Sequence, residues 1–298
     1  MPLTDPGAHG GPARRRSFSP TPHSTRTPLM SLAVVLGLAL ALLLAAPGPA
    51  AADDEDPRTH PDFGSASMGS TLLAHEGDRQ TFAPPAASPT ATVEGVDVSS
   101  HQGDVAWSTL WDSGVRFAYA KATEGTGYRN PYFAQQYNGS HDVGMIRGAY
   151  HFALPNASGG AEQATYFASH GGGWSADGKT LPGVLDIEYN PYGSACYGLS
   201  HSAMVDWIGE FSDTYRSHTG RDVVIYTTTD WWKQCTGDHA GFGTTNPLWI
   251  ARYASTPGTL PAGWDFHTFW QYTSTGPTVG DHNQFNGSMD RLQALADG

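Results

Sequence analysis

Two acidic residues at the end of an apolar strand are the candidates for chemistry in this chain. Asp186 and Glu188 follow the run Leu181-Pro-Gly-Val-Leu185, and side chains two residues apart on a strand point to the same face. Two carboxyls held close in a poorly solvated place repel, which raises the proton affinity of one and leaves a proton donor beside a charged partner. Such a pair is typical of glycoside hydrolysis. An isolated Asp-x-Glu also occurs as a structural strand end, so the surrounding elements decide.

Short β-like runs recur along the chain and are separated by stretches long enough for a helix or a loop. Helical spacing of apolar residues predicts helices over residues 161–169 and 202–219. The later connections are shorter and rich in Pro and Gly. We therefore expect an α/β fold, a modified TIM-like barrel with eight strands and fewer helices than strands. The predicted strands are residues 95–99, 117–122, 146–152, 183–188, 223–228, 248–253 and 267–272, and a last one near Val279.

Acids and aromatics converge on one mouth of such a barrel, because active sites lie at the C-terminal ends of the strands. Sugar rings present apolar faces that stack on aromatics and hydroxyls that need hydrogen-bond partners, so this mixture suits an oligosaccharide better than a phosphate or a metal. The side chains at the eight strand ends are Asp97, Lys121, Glu124, Tyr150, Phe152, Asp186, Glu188, Tyr226, Trp249, Arg252, Tyr253, Trp270, Tyr272 and Asp281.

Residues 1–52 have the pattern of a secretory signal peptide. An apolar run over residues 32–46 is preceded by four arginines and followed by Ala50-Ala51-Ala52. The run is shorter than the roughly 20 residues that span a bilayer, and the alanines supply a cleavage signal. Met30 is an alternative start, and Arg15-Arg16 is a weak match to a twin-arginine signal. We expect a secreted, extracellular protein that begins near Asp53, with no stable membrane insertion after cleavage.

The remaining chain divides into a leader and one domain. Residues 53–93 are rich in Pro, Ala, Ser, Gly and charge, which predicts a flexible linker, and residues 94–298 are enough for one catalytic barrel. From residue 53 onward, 27 acidic residues face 12 basic ones, a formal charge of −15 that disfavours nucleic acid as a partner. The two cysteines, Cys196 and Cys235, predict one disulfide in an exported protein.

Seven short motifs follow one another along the chain, at residues 95–103, 117–125, 148–152, 185–188, 249–253, 270–272 and 281–287. In this order they resemble the glycoside hydrolase family 25 lysozymes, the N,O-diacetylmuramidases secreted by Gram-positive bacteria. The resemblance implies a barrel that cleaves the β-1,4 bond between N-acetylmuramic acid and N-acetylglucosamine in bacterial peptidoglycan. It also implies catalytic roles for Asp97, Asp186, Glu188 and Asp281, and substrate contacts for the aromatics Tyr150, Tyr226 and Trp270.

We assign roles to the candidate residues on this basis. Glu188 is the expected general acid. Asp186 is either a nucleophile or the residue that orients the substrate's own 2-acetamido group, and we favour the second role. Asp97 and Asp281 are expected to tune protonation and hold hydroxyls, with ion pairing to Lys121 or Arg252 as the structural alternative. The further substrate-binding candidates are Trp249, Arg252 and Tyr253. We expect a monomer without cofactor or metal, since no zinc-type spacing of histidines occurs.

Two other functions are alternatives for a barrel with these residues. A chitinase-like hexosaminidase also has an Asp-x-Glu end to its motif, but the two earlier aspartates of that motif are Leu181 and Val184 here. A catalytically inactive wall-binding barrel would keep the aromatics and lose the acid, whereas all four acids are present in this chain.

Overall fold

The computed structural model describes residues 56–77 and 91–298, and its main feature is a closed eight-stranded barrel. Strand β1 pairs with both β2 and β9, which closes the sheet, and the short β3 adds only to the edge of β2. The prediction of a modified TIM-like barrel is confirmed. The strands are β1 Val93–Val98, β2 Phe117–Glu124, β3 Tyr128–Arg129, β4 Ile146–Phe152, β5 Val184–Asp186, β6 Val224–Thr227, β7 Leu248–Ala251, β8 Phe269–Thr273 and β9 Asp281–Phe285.

The helices are fewer than the strands, as the spacing of the later connections indicates. Both helices predicted from the sequence are present, as α4 and α5, and α5 is capped by Ser200 at its start and by the left-handed Gly220 at its end. Within the described residues, no helix separates β7 from β8 or β8 from β9. The α-helices are α1 Leu72–Glu76, α2 Trp107–Asp112, α3 Phe133–Asp142, α4 Gly160–Phe167, α5 His201–Thr219, α6 Thr229–Thr236 and α7 Met289–Asp297, and the shorter turns are Pro57–Thr59, Ser100–Gln102 and Ala168–Gly172.

The last strand runs opposite to the direction expected from the sequence. We expected it near Val279 with Asp281 at its C-terminal end, whereas β9 begins at Asp281 and is antiparallel to both β1 and β8. The connection over residues 274–280 is too short for a crossover, which takes about a dozen residues. Because β9 is reversed, its N-terminal end lies at the mouth, and Asp281 pairs in register with Asp97.

Aromatic side chains fill the barrel interior below the mouth. Tyr119, Trp249 and Phe269 are fully buried, and the Trp249 ring lies 4.9 Å from Tyr119 and 5.2 Å from Phe269 between centroids. These layers of interlocked rings make the barrel a packed core. The chemistry is therefore confined to the strand ends.

Residues 56–77 depart from the flexible linker expected over 53–93. They form a 3₁₀ turn and α1, and Met68 and Leu72 are completely buried against the barrel. Isolated apolar anchors without a period give no helix or strand signal in a sequence, yet each fits a site on a preformed surface. The expected signal peptide lies outside the described residues.

The predicted disulfide between Cys196 and Cys235 is confirmed, with Cα atoms 5.3 Å apart. It ties the loop after β5 to α6. In the described part of the chain, no helix is long and apolar enough to cross a bilayer.

Candidate active site

Asp186 and Glu188 face the same side at the end of β5, as strand alternation predicts. Asp186 ends the strand, and the Ile187 N–H still donates to the Tyr226 carbonyl at 3.0 Å, so the extended backbone continues to Glu188. Both carboxyls are completely buried. Neither oxygen of Asp186 accepts a hydrogen bond from a described residue, so this buried carboxyl retains unused hydrogen-bonding capacity.

Burial keeps protons on this pair. It is the largest influence on Glu188 and raises its pKa to about 8, against hydrogen bonds that stabilise the charged form. Burial and then the charge of Glu188 raise the pKa of Asp186 well above its usual range. When protonated, Asp186 donates toward Glu188, which raises its own pKa further and lowers that of Glu188. The two carboxyls therefore hold at least one proton near neutral pH.

Asp97 and Asp281 form the second pair of acids, brought together by the β1–β9 register. Burial raises the pKa of Asp97 to about 7, although its Oδ2 accepts from Gln271 Nε2 at 2.9 Å and Asn283 Nδ2 at 2.8 Å. Burial and the nearby Asp97 charge raise the pKa of Asp281 to about 9. Asp97 is thus held by amides, and no ion pair to Lys121 or Arg252 forms.

Gln271 connects the acids to the tyrosines of the mouth, a role not expected from the sequence. Its Oε1 accepts from the Tyr226 hydroxyl at 2.7 Å and the Tyr253 hydroxyl at 3.2 Å, while its Nε2 donates to Asp97. The Trp-Gln-Tyr motif marked this position, but a neutral amide between two aromatics gave no chemical signal of its own.

The remaining aromatic candidates divide between the mouth and the core. Tyr150 is buried close to Asp97 and Asp186, whose charges, after burial itself, raise its pKa well above the usual value. Trp249 donates from Nε1 to Asn283 Oδ1 at 3.1 Å and packs among the core rings, which places it below the cleft rather than on its surface.

Trp270 of β8 contacts Arg252, which follows β7, and the Trp270 side chain packs in the cluster on the outer side of the barrel rather than among the interior rings. The indole of Trp270 donates to the Arg252 carbonyl at 2.9 Å and is only 4% exposed. Arg252 lines a cavity of about 220 Å³ together with Glu76 and Lys233. The rim thus carries a cation on one side of a largely acidic mouth.

A buried ion pair at the end of β2 completes the mouth. The Lys121 ammonium contacts the Glu124 carboxylate, both side chains are completely buried, and the Tyr192 hydroxyl donates to Glu124 Oε1 at 2.6 Å. Burial lowers the pKa of Lys121, and the Glu124 charge opposes this. Lys121 therefore acts within a polar network rather than as a partner of Asp97.

One buried histidine near the active site has a structural role. His151 is buried between Thr123 Oγ1 at 2.8 Å and Gln163 Oε1 at 2.9 Å, and burial lowers its pKa to about 3. Across residues 56–77 and 91–298, no group of three His, Cys, Asp or Glu side chains has the arrangement to hold a metal ion.

Comparison with known families places this mouth in a familiar context. Residues 96–281 match the model described as glycosyl hydrolases family 25. The chain belongs to this family. It is therefore a glycoside hydrolase, and its buried acids lie in the barrel that the family model covers.

Two curated relatives illustrate the extent of the similarity. Lysozyme M1 of Streptomyces globisporus is 46% identical over 281 residues, which is 91% of this chain and 95% of that protein. The N,O-diacetylmuramidase of Chalaropsis sp. is 50% identical over 211 residues, 70% of this chain and all of that protein. The first similarity extends N-terminal of the barrel, whereas the second has the length of the barrel alone.

Solved structures support the same fold. The muramidase from Acremonium alcalophilum is 59% identical with a TM-score of 0.68, and it covers 69% of this chain and 99% of its own. The family GH25 lysozyme from Aspergillus fumigatus is 49% identical with a TM-score of 0.69, covering 70% and 100%.

Proposed function

We propose that this chain is a secreted muramidase that hydrolyses the β-1,4 bond between N-acetylmuramic acid and N-acetylglucosamine in bacterial peptidoglycan. The observation that carries the proposal is the buried pair of Asp186 and Glu188 at the mouth of a family 25 barrel. The relatives named lysozyme and N,O-diacetylmuramidase support the choice of substrate. The formal charge of −15 from residue 53 onward gives no reason to expect nucleic acid as a partner.

Glu188 acts as the general acid and later as the general base. Its pKa of about 8, raised by burial, keeps the carboxyl protonated at neutral pH, where an ordinary glutamate is ionised. The proton goes to the glycosidic oxygen as the bond to the leaving N-acetylglucosamine breaks. The resulting carboxylate then takes a proton from the water that completes hydrolysis.

Asp186 assists the 2-acetamido group of the substrate. Since neither of its oxygens accepts a hydrogen bond from a described residue, the carboxyl is open to accept the acetamido N–H. This contact orients the acetamido oxygen, which attacks the anomeric carbon and closes a five-membered oxazolinium ring, with its N–H still hydrogen-bonded to Asp186, while the leaving group departs. Water then opens the ring at the same carbon, and the two inversions give net retention.

The other acids and aromatics bind and orient the sugar in this proposal. Asp97, fixed by two amides, and Asp281 hold hydroxyls and set the charge near the reacting pair. Tyr150, Tyr226 and Tyr253 surround the mouth, and Arg252, whose carbonyl accepts from Trp270, contributes at the rim. Trp249 supports this surface from below. The enzyme acts as a secreted, extracellular monomer without a cofactor.

The reducing-end sugar of the digestion products tests the proposed bond. Peptidoglycan is digested, the products are reduced with borohydride, and the terminal sugar alcohol is identified by mass spectrometry. We expect N-acetylmuramitol, because cleavage of the proposed bond exposes the reducing end of N-acetylmuramic acid. N-acetylglucosaminitol would assign the enzyme to the other glycosidic bond of the wall.

A further inference from the structure

Residues 62–76, called here the cleft segment, lie across the mouth of the barrel and over its acids. The segment contacts the end of β2, then Glu188, and finally the beginning of α6. At most 4% of the surface of Ala66, Met68 and Leu72 is exposed. Met68 packs in the same cluster as Tyr150, Tyr226 and Tyr253, the residues assigned above to substrate.

The cleft segment occupies both oxygens of the general acid. The Gly69 N–H donates to Glu188 Oε1 at 2.6 Å, and the Thr71 hydroxyl donates to Glu188 Oε2 at 3.3 Å. Each oxygen of this carboxyl therefore already has a hydrogen-bond partner in the segment, which a glycosidic oxygen would have to replace or share. The contact is thus to the reacting group itself.

Gly69 brings the backbone too close to the mouth for any side chain. Its φ is +71°, and a Cβ at this position would lie 2.3 Å from the Tyr253 hydroxyl and 2.6 Å from Gln271 Oε1. Such distances are far below van der Waals contact, and the conformation itself favours glycine. A glycine is therefore required for the segment to seat on Glu188.

The buried ion pair of the mouth is completed by the segment's backbone. Lys121 Nζ donates to the Gly64 carbonyl at 3.3 Å and to the Ala66 carbonyl, and the Gly64 N–H donates to Glu124 Oε1 at 3.1 Å. The Ala66 N–H donates to the Tyr192 hydroxyl at 3.3 Å. The backbone of the cleft segment thus supplies hydrogen-bond partners for both Lys121 and Glu124.

The opposite end of the segment is fixed beyond Glu188. Glu76 Oε1 accepts from the Tyr189 hydroxyl at 3.1 Å and the Thr228 hydroxyl at 2.5 Å. The His75 ring stacks on Tyr189 with centroids 4.0 Å apart. With anchors on both sides of the acids, the segment spans the cleft rather than touching its edge.

We propose that the cleft segment is an autoinhibitory element, and that the chain is latent until the segment leaves the mouth. Because the segment packs Met68 among Tyr150, Tyr226 and Tyr253 and contacts both oxygens of Glu188, it fills the space that the substrate needs, and only one of them can bind. A covalently tethered segment competes at an effective concentration in the millimolar range, so soluble substrate displaces it poorly. Hydrolysis of a peptide bond between the segment and the barrel by a separate endoprotease removes this advantage.

The proposal rests on the proposed function, since inhibition is defined by the activity that is blocked. The Chalaropsis sp. enzyme and the two solved structures match this chain over about the length of the barrel, whereas the similarity to Lysozyme M1 includes the region before it.

The test uses the chain from Asp53 to Gly298 with the recognition sequence of a site-specific protease inserted between Gly77 and Ala91. Lysis of a wall suspension is measured before cutting, and again after cutting and removal of the released peptide by gel filtration. We expect the uncut protein to be at least about tenfold slower, because a closed state favoured tenfold leaves only a tenth of the molecules open. Equal rates would overturn the inference.

Gly69→Ala and Gly77→Ala form a matched pair of variants in the uncut protein. Both glycines have a φ of +71°, but a Cβ at Gly77 meets no atom within 4 Å. We expect Gly69→Ala to raise the uncut rate toward the cut rate and Gly77→Ala to leave it low. Once cut, both variants should match the unmodified protein, since each change leaves with the peptide. If the two variants behave alike before cutting, the Glu188 contact is not the inhibitory one.

A binding measurement separates failure of the inference from failure of the proposed function. A fluorescently labelled peptide of residues 56–77 is titrated with the cut barrel, and anisotropy is recorded. We expect saturable binding of the unmodified peptide. The Gly69→Ala peptide should bind with a dissociation constant about tenfold or more higher, because its added methyl group clashes with the cleft. If the peptide binds but neither the cut nor the uncut protein lyses walls, the proposed muramidase function is wrong and the segment still binds the cleft. If the cut protein lyses walls but does not bind the peptide, the proposed function stands and the autoinhibition is refuted.

Discussion

At the residue scale, burial rather than a neighbouring charge dominates the protonation of the site. It is the largest influence on Asp97, Asp186, Glu188 and Asp281, and in each case it raises the pKa. A strand end inside a closed barrel whose mouth is covered by the cleft segment thus favours the protonated form of these acids. Among these acids, Asp186 differs in accepting no hydrogen bond from the described residues, which is why the two members of the pair are given different roles.

The assistance role of Asp186 leads to a stereochemical prediction. Two inversions at the anomeric carbon should release the product first as the β anomer, which proton NMR can detect before mutarotation. An initial α anomer would contradict a retaining scheme. Substrate analogues without the acetamido carbonyl should bind but be cleaved poorly. A covalent sugar trapped on Asp186 would preserve retention and make Asp186 the nucleophile.

The reacting pair was predictable from the sequence, whereas its supporting residues were not. Strand alternation is local, so Asp186 and Glu188 could be placed on one face from their spacing alone. Gln271 gains its role from Asp97, a residue 174 positions away along the chain. A neutral amide carries no signal until the fold brings its partners together.

At the element scale, the length of one connection explains why the direction of β9 differs from the prediction. The segment over residues 274–280 is too short for a crossover, so β9 had to be antiparallel. Asp281 was nevertheless expected at the mouth, and it does lie there. The two errors, in the direction of the strand and in which of its ends carries Asp281, cancel each other. A count of residues between β8 and β9 would have corrected both.

The disulfide between the β5 loop and α6 should contribute stability without contributing to catalysis. Cys196 and Cys235 are 39 residues apart, and closing a loop of this size is worth on the order of 3–4 kcal/mol in the chain-entropy model. We expect the Cys196→Ser/Cys235→Ser protein to melt at a clearly lower temperature and to keep its lysis rate while folded. Loss of lysis at a temperature where circular dichroism shows a folded barrel would assign the bridge a role in the site.

At the scale of the whole molecule, the sequence predicted the barrel and missed the segment that covers it. The barrel has a repeated signal of strands and turns, while residues 62–76 contribute only isolated anchors such as Met68 and Leu72. Their meaning depends on a surface formed by distant strands. The composition of residues 53–93, which is typical of a linker, therefore could not show that part of this region binds in the cleft.

The buried acids should make folding stability fall as pH rises. The folded pKa of Glu188, about 8, exceeds its ordinary value of 4.5, so the folded state binds more protons between these limits. Its contribution is fully present below pH 4.5 and is lost as pH rises through about 8. We expect Glu188→Gln to make the decline in the free energy of unfolding shallower by up to about 1.4 kcal/mol per pH unit.

Denaturant unfolding at pH 5, 6 and 7 measures this slope. Glu162→Gln, at an exposed position on α4, is the matched control and should leave the slope unchanged. An identical slope in all three proteins would mean that Glu188 is not held in its protonated form by the folded barrel.

The most direct test of the account is the turnover of Glu188→Gln on peptidoglycan, with the cleft segment cut and removed from variant and wild type alike. Glutamine keeps the size and polarity of the side chain but has no proton acidic enough to transfer to the leaving oxygen. We expect turnover to fall by at least about 100-fold at matched folding, since general acid catalysis is typically worth about 10² to 10⁴. A variant that retained more than about a tenth of the wild-type rate, well outside that range, would show that Glu188 is not the general acid.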